Sequence, residues 1–274
     1  MESAKLGIKK KMMKTFRNWF GWRLSLSLFV GLTFGGLAWA PAESAAQAKP
    51  ADGKAGNLVP LMLNLPAAAF KGTPKDFQPG PNVEPLSDKP RPPMLVPAGL
   101  KNVALGAKLT CSDKNASADM LAKITDGNKD ASDDSIIFLR KGIQWVQLDL
   151  GSVYETFAIV IWHAHNTAKI YHDVIVQTAD DPDFIQNVRT LFNNDLDNTA
   201  GLGVGTDREY YETNEGKLID TKGAKARYFR FYSKGSTESV MNEYTEVEIY
   251  GRTPAVAGGG QKPARYVAAS AKAE

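Results

Sequence analysis

The sequence predicts an all-β fold, an antiparallel sandwich or barrel, on three observations. From Asn102 to Gly251, short runs rich in Val, Ile, Phe and Tyr alternate with clusters of Asp, Asn, Ser and Gly, which is typical of strands joined by turns. No run of twelve residues has the period of an amphipathic helix. The chain has 274 residues, 43% of them hydrophobic, so it is long enough and apolar enough to bury a substantial core.

The first 48 residues predict an export signal. Six basic residues from Lys9 to Arg23 precede LSLSLFVGLTFGGLAWA, an uncharged run at 24–40, and an Ala-Gln-Ala cleavage site follows at 46–48. Cleavage there would leave Lys49 as the new first residue.

Two alternatives to this cleavage remain open. A second small-residue site ends at Ala40, but Pro41 directly after it is unfavourable for a signal peptidase. The uncharged run could also be a retained membrane anchor, because its seventeen residues approach the length that spans a bilayer. Its internal glycines, Gly31, Gly35 and Gly36, weaken such a helix, so we expect cleavage.

Charge and cysteine content argue against a nucleic-acid-binding surface, an internal disulfide and a zinc site of paired thiolates. The chain has 33 Lys and Arg against 30 Asp and Glu, but seven of the basic and two of the acidic residues lie in residues 1–48. The remainder carries a net charge of −2, so no basic surface for nucleic acid is expected. The single cysteine, Cys111, excludes an internal disulfide and a zinc site built from paired thiolates.

Residues 49–98 predict an extended arm, because their many prolines remove backbone donors and disfavour helix. A free linker is one interpretation. The other is that NLVPLMLNLP, Phe70 and Phe77 lie against a folded surface. The folded domain is expected at 99–251, and the Ala- and Gly-rich residues 252–274 predict a disordered tail.

Within the folded domain, one short helical turn lies among strand-like runs. The turn is ADMLAKIT, which ends just before Asp126. In chain order the strand-like runs are NVALGAKLTCS, WVQLDLG, FAIVIWHA, HDVIVQTA, RYFRFYS and YTEVEIYG.

In this order, and with the loop ITDGN after the helical turn, these runs resemble the discoidin or coagulation-factor type C family. That family consists of galactose-binding-like jelly rolls and includes many bacterial carbohydrate-binding modules. The resemblance covers about residues 100–251 and implies an antiparallel jelly-roll β-sandwich, preceded here by the Pro-rich arm. Two segments depart from the family pattern: the loop DGNKDASDDSIIFL lacks the usual threonine and tryptophan, and a long segment at 192–217 replaces a short hairpin.

The resemblance implies a structural calcium ion where the Asp-Gly loop meets the last strand. The implied ligands are the side chains of Asp126 and Glu246, the carbonyls of Lys123, Asn128 and Thr245, and Ser132 or Asp130 in place of the family threonine. Such a mixture of carboxylate and carbonyl oxygens suits Ca²⁺. The alternative is that Asp126 only forms a turn and Glu246 faces solvent.

All three histidines, His163, His165 and His172, lie in IWHAHNTAKIYHD at 161–173. Alternation along the strand places His163 and His165 at the solvent end of the apolar row that contains Ile159. Together with His172 they could bind zinc or copper, or they could be hydrogen-bonded residues at strand ends. No carboxylate near them in sequence is placed to orient an imidazole for a metal, so we predict neutral histidines at a polar ligand-binding rim.

The resemblance also implies where a ligand would bind. Sugar-binding members bind at one rim, and the corresponding residues here are His163, His165 and Asn166, with Phe138 and Arg140 from the earlier loop. The chain has no GxSxG or HExxH motif, so we predict that it is not an enzyme.

The expected function is an exported binding module that recognises carbohydrate or a cell-envelope glycan. Its expected location is periplasmic, cell-surface or secreted, and it would not be transmembrane after signal cleavage. The alternative function is a structural or protein-interaction subunit of an envelope complex, in which the Pro-rich arm and the 192–217 segment contact a protein partner.

Overall fold

The computed structural model describes residues 57–70, 80–87 and 89–255. All of these residues belong to one compact unit. The predicted export signal at 1–48 and nearly all of the predicted tail lie outside the described residues. Within the described ranges, no helix is long and apolar enough to cross a membrane.

Strands dominate the described structure, and every pair of named strands is antiparallel. The strands are β1 (Leu58–Pro60), β2 (Leu95–Pro97), β3 (Lys101–Asn102), β4 (Lys108–Cys111), β5 (Ile137–Leu139), β6 (Gln144–His163), β7 (Ile175–Ala179), β8 (Arg189–Asn193), β9 (Lys217–Ser233) and β10 (Asn242–Arg252). The predicted helical turn is confirmed as α1 (Ala118–Ala122), which continues into a 3₁₀ turn (Lys123–Thr125). Ser117 caps α1 by accepting a hydrogen bond from the backbone N–H of Met120.

Two long strands, β6 and β9, hold the main sheet together. The order of this sheet is β3-β10-β6-β9-β7-β8, with β4 paired to β6 and β5 paired to β10. The first part of β6 pairs with β4, whereas its last part pairs with β10. The β6–β9 register shifts between Asp149 and Tyr154, where β6 changes partners. A register shift of this kind bends a long strand, so that its two parts can lie in the two layers of a sandwich.

The hydrophobic core lies between the two layers. It contains Val146 from the first part of β6, Ile159 and Ile161 from the last part, and Phe229 from β9. The prediction of an all-β, antiparallel jelly-roll β-sandwich is confirmed. Trp162 points away from this row, as alternation predicts, and is nevertheless fully buried.

The described part of the Pro-rich arm bonds to the long segment at 192–217. Val83 forms a parallel bridge with Glu209. The guanidinium of Arg91 donates to the carbonyl oxygens of Glu215 at 2.8 Å and Gly216 at 2.7 Å. These contacts fix part of the arm against the end of the long segment.

Candidate functional site

His163, the last residue of β6, lies inside the protein. Its side chain is fully buried, and its ring stacks on that of Tyr171 with a centroid distance of 4.3 Å. Its Nδ1 lies 2.9 Å from Oε2 of the buried Glu212. The prediction that His163 sits at the solvent end of the core row is wrong, because Tyr171 and the segment around Glu212 cover the end of the strand.

His165 is buried as well, so its predicted position at the solvent end is also wrong. The residue is 2% exposed, and its Nε2 lies 2.8 Å from the carbonyl oxygen of Lys129. Because a carbonyl only accepts, Nε2 carries the proton in this contact. The hydrogen bond joins the loop after Asp126 to the loop after β6, which are the two loops of the predicted rim.

His172 is partly exposed, and its Nδ1 lies 2.9 Å from Oε1 of Glu209. The three histidines therefore have three different partners and do not converge. The expectation that no carboxylate orients an imidazole is wrong, because Glu209 and Glu212 do so from the long 192–217 segment. Because Glu209 and Glu212 lie far from the histidines in the sequence, the sequence alone does not pair them.

Three residues of the predicted rim reach solvent: Phe138, Arg140 and Asn166. The Phe138 residue is 45% exposed and pairs across the sheet with Glu243. The Arg140 side chain is 53% exposed, but its Nε lies only 2.8 Å from Oδ1 of the buried Asp113. The guanidinium is therefore held in place while much of it stays available.

Asp113 is well suited to hold Arg140. Its carboxylate accepts hydrogen bonds from the backbone N–H groups of Asn115 and Arg140 as well as from the guanidinium. These contacts, that of Asn115 foremost, lower the pKa of Asp113 despite its burial. Asp113 is thus ionised at neutral pH and keeps its bond to Arg140.

A buried ionic network stabilises the loop that follows β6, which is one of the two rim loops. The ammonium of Lys169 lies 3.0 Å from Oε2 of Glu243, and the hydroxyl of Tyr171 donates to the same oxygen at 2.5 Å. Burial, reinforced by Glu243, raises the pKa of Tyr171, so its hydroxyl keeps its proton. These bonds fix the loop between β6 and Tyr171.

The buried carboxylate of Glu246 is only half satisfied. Its Oε1 accepts from the backbone N–H of Gly127 at 3.1 Å, whereas Oε2 is buried without a partner. Burial, followed by the charges of Glu248 and Asp126, raises the pKa of Glu246 to about 9. The alternative in which Glu246 faces solvent is wrong, because the side chain is fully buried. An orphaned buried carboxylate oxygen fits a bound cation.

The other predicted calcium ligands lie around the same loop. Oδ1 of Asp126 accepts from the backbone N–H of Asn128 at 2.8 Å, which forms the predicted turn. Asn128 and Ser132 both bond to the hydroxyl of Ser135, at 3.1 Å and 2.8 Å. Lys123 extends its ammonium to the carbonyl of Asp134, and the hydroxyl of Thr245, the residue before Glu246, is buried without a partner.

A second cluster of acidic side chains lies at a cavity of about 380 Å³ beside the long segment, and two of its three members, Asp173 and Asp197, line that cavity. Carboxylate oxygens of Asp173, Asp195 and Asp197 lie within 4.8 Å of one another and could hold a metal ion. Sequence reasoning missed this group, because Asp173 precedes β7 while the other two follow β8. The only signal in the sequence was the Asp- and Asn-rich run after Phe192.

No protein-family model and no curated protein matches the chain. Among solved structures, it is similar to the chitosan-binding module 1 of a chitosanase/glucanase from Paenibacillus sp. IK-5, with 18% identity, a TM-score of 0.38, and coverage of 55% of this chain and 99% of the module. A Streptococcus pneumoniae fucose-binding module is 16% identical, with a TM-score of 0.39 and coverage of 56% and 100%.

A family 89 glycoside hydrolase from Clostridium perfringens is 16% identical, with a TM-score of 0.41; the match covers 56% of this chain but only 15% of the enzyme. The first two similarities are to carbohydrate-binding modules, the class that the sequence resembles. Similarities this distant assign neither a family nor a ligand to the chain.

Proposed function

We propose that the protein is a non-catalytic, exported module that binds carbohydrate or a cell-envelope glycan at the rim around Phe138. The observation that carries this proposal is the exposed ring of Phe138 on a paired strand, in the same short segment as the fixed guanidinium of Arg140. A sugar presents an apolar face and a ring of hydroxyl groups. An aromatic surface with nearby polar donors matches both.

Each exposed rim residue has a defined part in this proposal. The Phe138 ring packs against the apolar face of a pyranose. The Arg140 guanidinium and the Asn166 amide bond to hydroxyl oxygens. Because Asp113 already holds Arg140, less side-chain entropy is lost on binding.

Two of the predicted binding residues, His163 and His165, act from beneath the rim in this proposal. His163 is packed against Tyr171, and His165 bonds to Lys129 between the two rim loops. Their proposed contribution is to keep the loops in one arrangement.

We infer a structural calcium ion as part of the same proposal. The Glu246 and Asp126 carboxylates would hold it, with Ser132 and the backbone oxygens of Lys123, Asn128 and Thr245 completing the set. The orphaned Oε2 of Glu246 supports this assignment. Such an ion supplies a charge partner for Glu246 and ties the loop after Asp126 to β10.

A glycan array with matched variants tests the proposal. We expect the wild-type protein to bind one class of glycan, and Phe138→Ala and Arg140→Ala to lose that signal. The control is Ile185→Ala, because Ile185 is 78% exposed and is not one of the rim residues. An array signal that is equal in all four proteins would contradict binding at this rim.

A second candidate, the protein-interaction subunit, is favoured by one observation. A cleft of about 890 Å³ lies between the arm and the end of the long segment, lined by residues that include Phe70, Arg91 and Tyr210. Stoichiometric co-purification with one envelope protein, lost on Phe70→Ala and accompanied by a silent glycan array, would favour this function over the first.

A further inference from the structure

The cavity lined by Asp173 and Asp197 lies at the ends of three adjacent strands. Asp173 precedes β7, Asn194 follows β8, and Lys234 follows β9. At about 380 Å³ it is within the size range of sites for small organic ligands and much larger than a bare ion. None of the five predicted ligand-binding residues lines it.

The cavity carries an excess of negative charge. Asp173, Asp197 and Glu209 line it. Asp195 is fully buried outside the lining, but its carboxylate lies within 4.8 Å of those of Asp173 and Asp197, a separation at which ionised groups repel. Lys234 balances one of these charges, because its ammonium lies 3.3 Å from Oδ2 of Asp173. The remaining charge favours a ligand that is itself positive.

Asn194 gives an observation that is independent of charge. The residue is 2% exposed, and its Oδ1 accepts from the backbone N–H of Val174 at 2.6 Å, which fixes the orientation of the amide. Its Nδ2 is buried and has no partner. A buried donor without an acceptor is unfavourable, and an oxygen of a ligand in the cavity would satisfy it. A bare metal ion offers no such acceptor.

His172 adds a second polar group of fixed orientation. Glu209 holds its Nδ1 at 2.9 Å, so Nε2 is the ring nitrogen left for a ligand. An imidazole nitrogen can donate to or accept from a hydroxyl group.

We propose that this cavity binds a ligand that carries a protonated amine beside hydroxyl groups, which is the chemistry of an amino sugar. The amine contacts the carboxylates of Asp173 and Asp197, which line the cavity. A hydroxyl oxygen accepts from Nδ2 of Asn194, and another hydroxyl bonds to Nε2 of His172. This site goes beyond the proposed rim, since it needs neither Phe138 nor Arg140.

An NMR titration tests the proposal with two matched sugars. The isotope-labelled protein, in EDTA at mildly acidic pH and constant ionic strength, is titrated with D-glucosamine hydrochloride and separately with N-acetyl-D-glucosamine. We expect saturable shifts of the Asn194 side-chain amide and of the backbone amides of Thr199 and Ala200 with glucosamine. Binding of the acetylated sugar, which lacks the positive charge, is expected to be at least tenfold weaker.

Three variants separate this site from the rim. Asp197→Asn, at an exposed position, should weaken glucosamine binding at least tenfold, because it removes one carboxylate. Asp183→Asn, at an exposed turn elsewhere, and Phe138→Ala, at the rim, should leave it unchanged. Equal binding of the two sugars, no shift at Asn194, an unchanged Asp197→Asn variant, or shifts produced by calcium but not by glucosamine would each overturn the proposal.

Discussion

The backbone N–H of Gly127 donates to Oε1 of Glu246 across 119 residues of sequence, at 3.1 Å. This bond ties the loop after the helical turn to β10, yet it satisfies only one oxygen of the carboxylate. The other oxygen, Oε2, is buried with no partner. A buried carboxylate in this state needs either a proton or a cation, and the first two predictions distinguish these conditions.

Calcium should stabilise the protein against unfolding. If the ion binds only the folded state, a concentration one hundred times the dissociation constant adds about 2.7 kcal/mol to the free energy of unfolding. Urea unfolding with calcium and with EDTA measures this difference. Glu246→Gln should remove most of it, whereas Asp133→Asn, an exposed residue of the same loop, should not. Identical unfolding curves with calcium and EDTA would exclude the site.

Without calcium, the stability of the protein should fall as pH rises. The pKa of Glu246 is raised from 4.5 to about 9, so the folded state holds a proton that the unfolded state releases in this range. The contribution of this group is therefore fully present below pH 4.5 and is lost as pH rises to about 9, with a slope of about 1.4 kcal/mol per pH unit.

Urea unfolding in EDTA at a series of pH values checks this slope. Glu246→Gln cannot titrate, so the difference between it and the wild type isolates the group. Parallel stability profiles for the two proteins would show that Glu246 titrates normally in the folded state.

The buried pair of His163 and Glu212 should be important for stability. Glu212→Ala leaves the imidazole without its partner in the core and should cost about 3 kcal/mol of unfolding free energy. Asp183→Ala is the control, because this acidic residue lies at an exposed turn, and its cost should stay below about 0.5 kcal/mol. Chemical denaturation measures both variants, and a Glu212→Ala cost as small as that of the control would show that the pair is dispensable.

Gly216 should not tolerate a side chain. It has a φ of +61°, and an added Cβ would lie 2.8 Å from both the carbonyl oxygen of Ile161 and the ring of Trp162. Gly216→Ala should therefore cost more than about 2 kcal/mol. Gly151→Ala is the matched control, because Gly151 has a φ of +76° and no atom within 4 Å of such a Cβ, so only the backbone strain of about 1 kcal/mol applies. Equal losses in the two variants would refute the packing argument.

The fold could be predicted from local sequence. Alternation along β6 predicts that the apolar row containing Ile159 faces the core, and the structure places Ile159 and Ile161 there, with Trp162 on the other face. The helical turn before Asp126 could also be predicted, because few other runs in the folded domain have helical spacing. These features depend on residues close together in the chain, which is why pattern alone reveals them.

The candidate site was only partly predictable. Alternation predicts which face of β6 carries His163. It does not predict how far along the strand other residues bury that face. The cover comes from Tyr171 and from Glu212, whose segment looked like an open loop in the sequence. The acidic cavity was missed for the same reason, because Asp173 and Asp197 meet only when β7 and β8 pair.

The most direct test of the central claim, that the rim binds carbohydrate, is isothermal titration calorimetry with the strongest glycan from the array. We predict that Phe138→Ala weakens binding at least tenfold, because it removes the aromatic surface, whereas Phe138→Tyr and Ile185→Ala bind like the wild type. Wild-type affinity in Phe138→Ala, with an unchanged free energy of unfolding, would contradict the account.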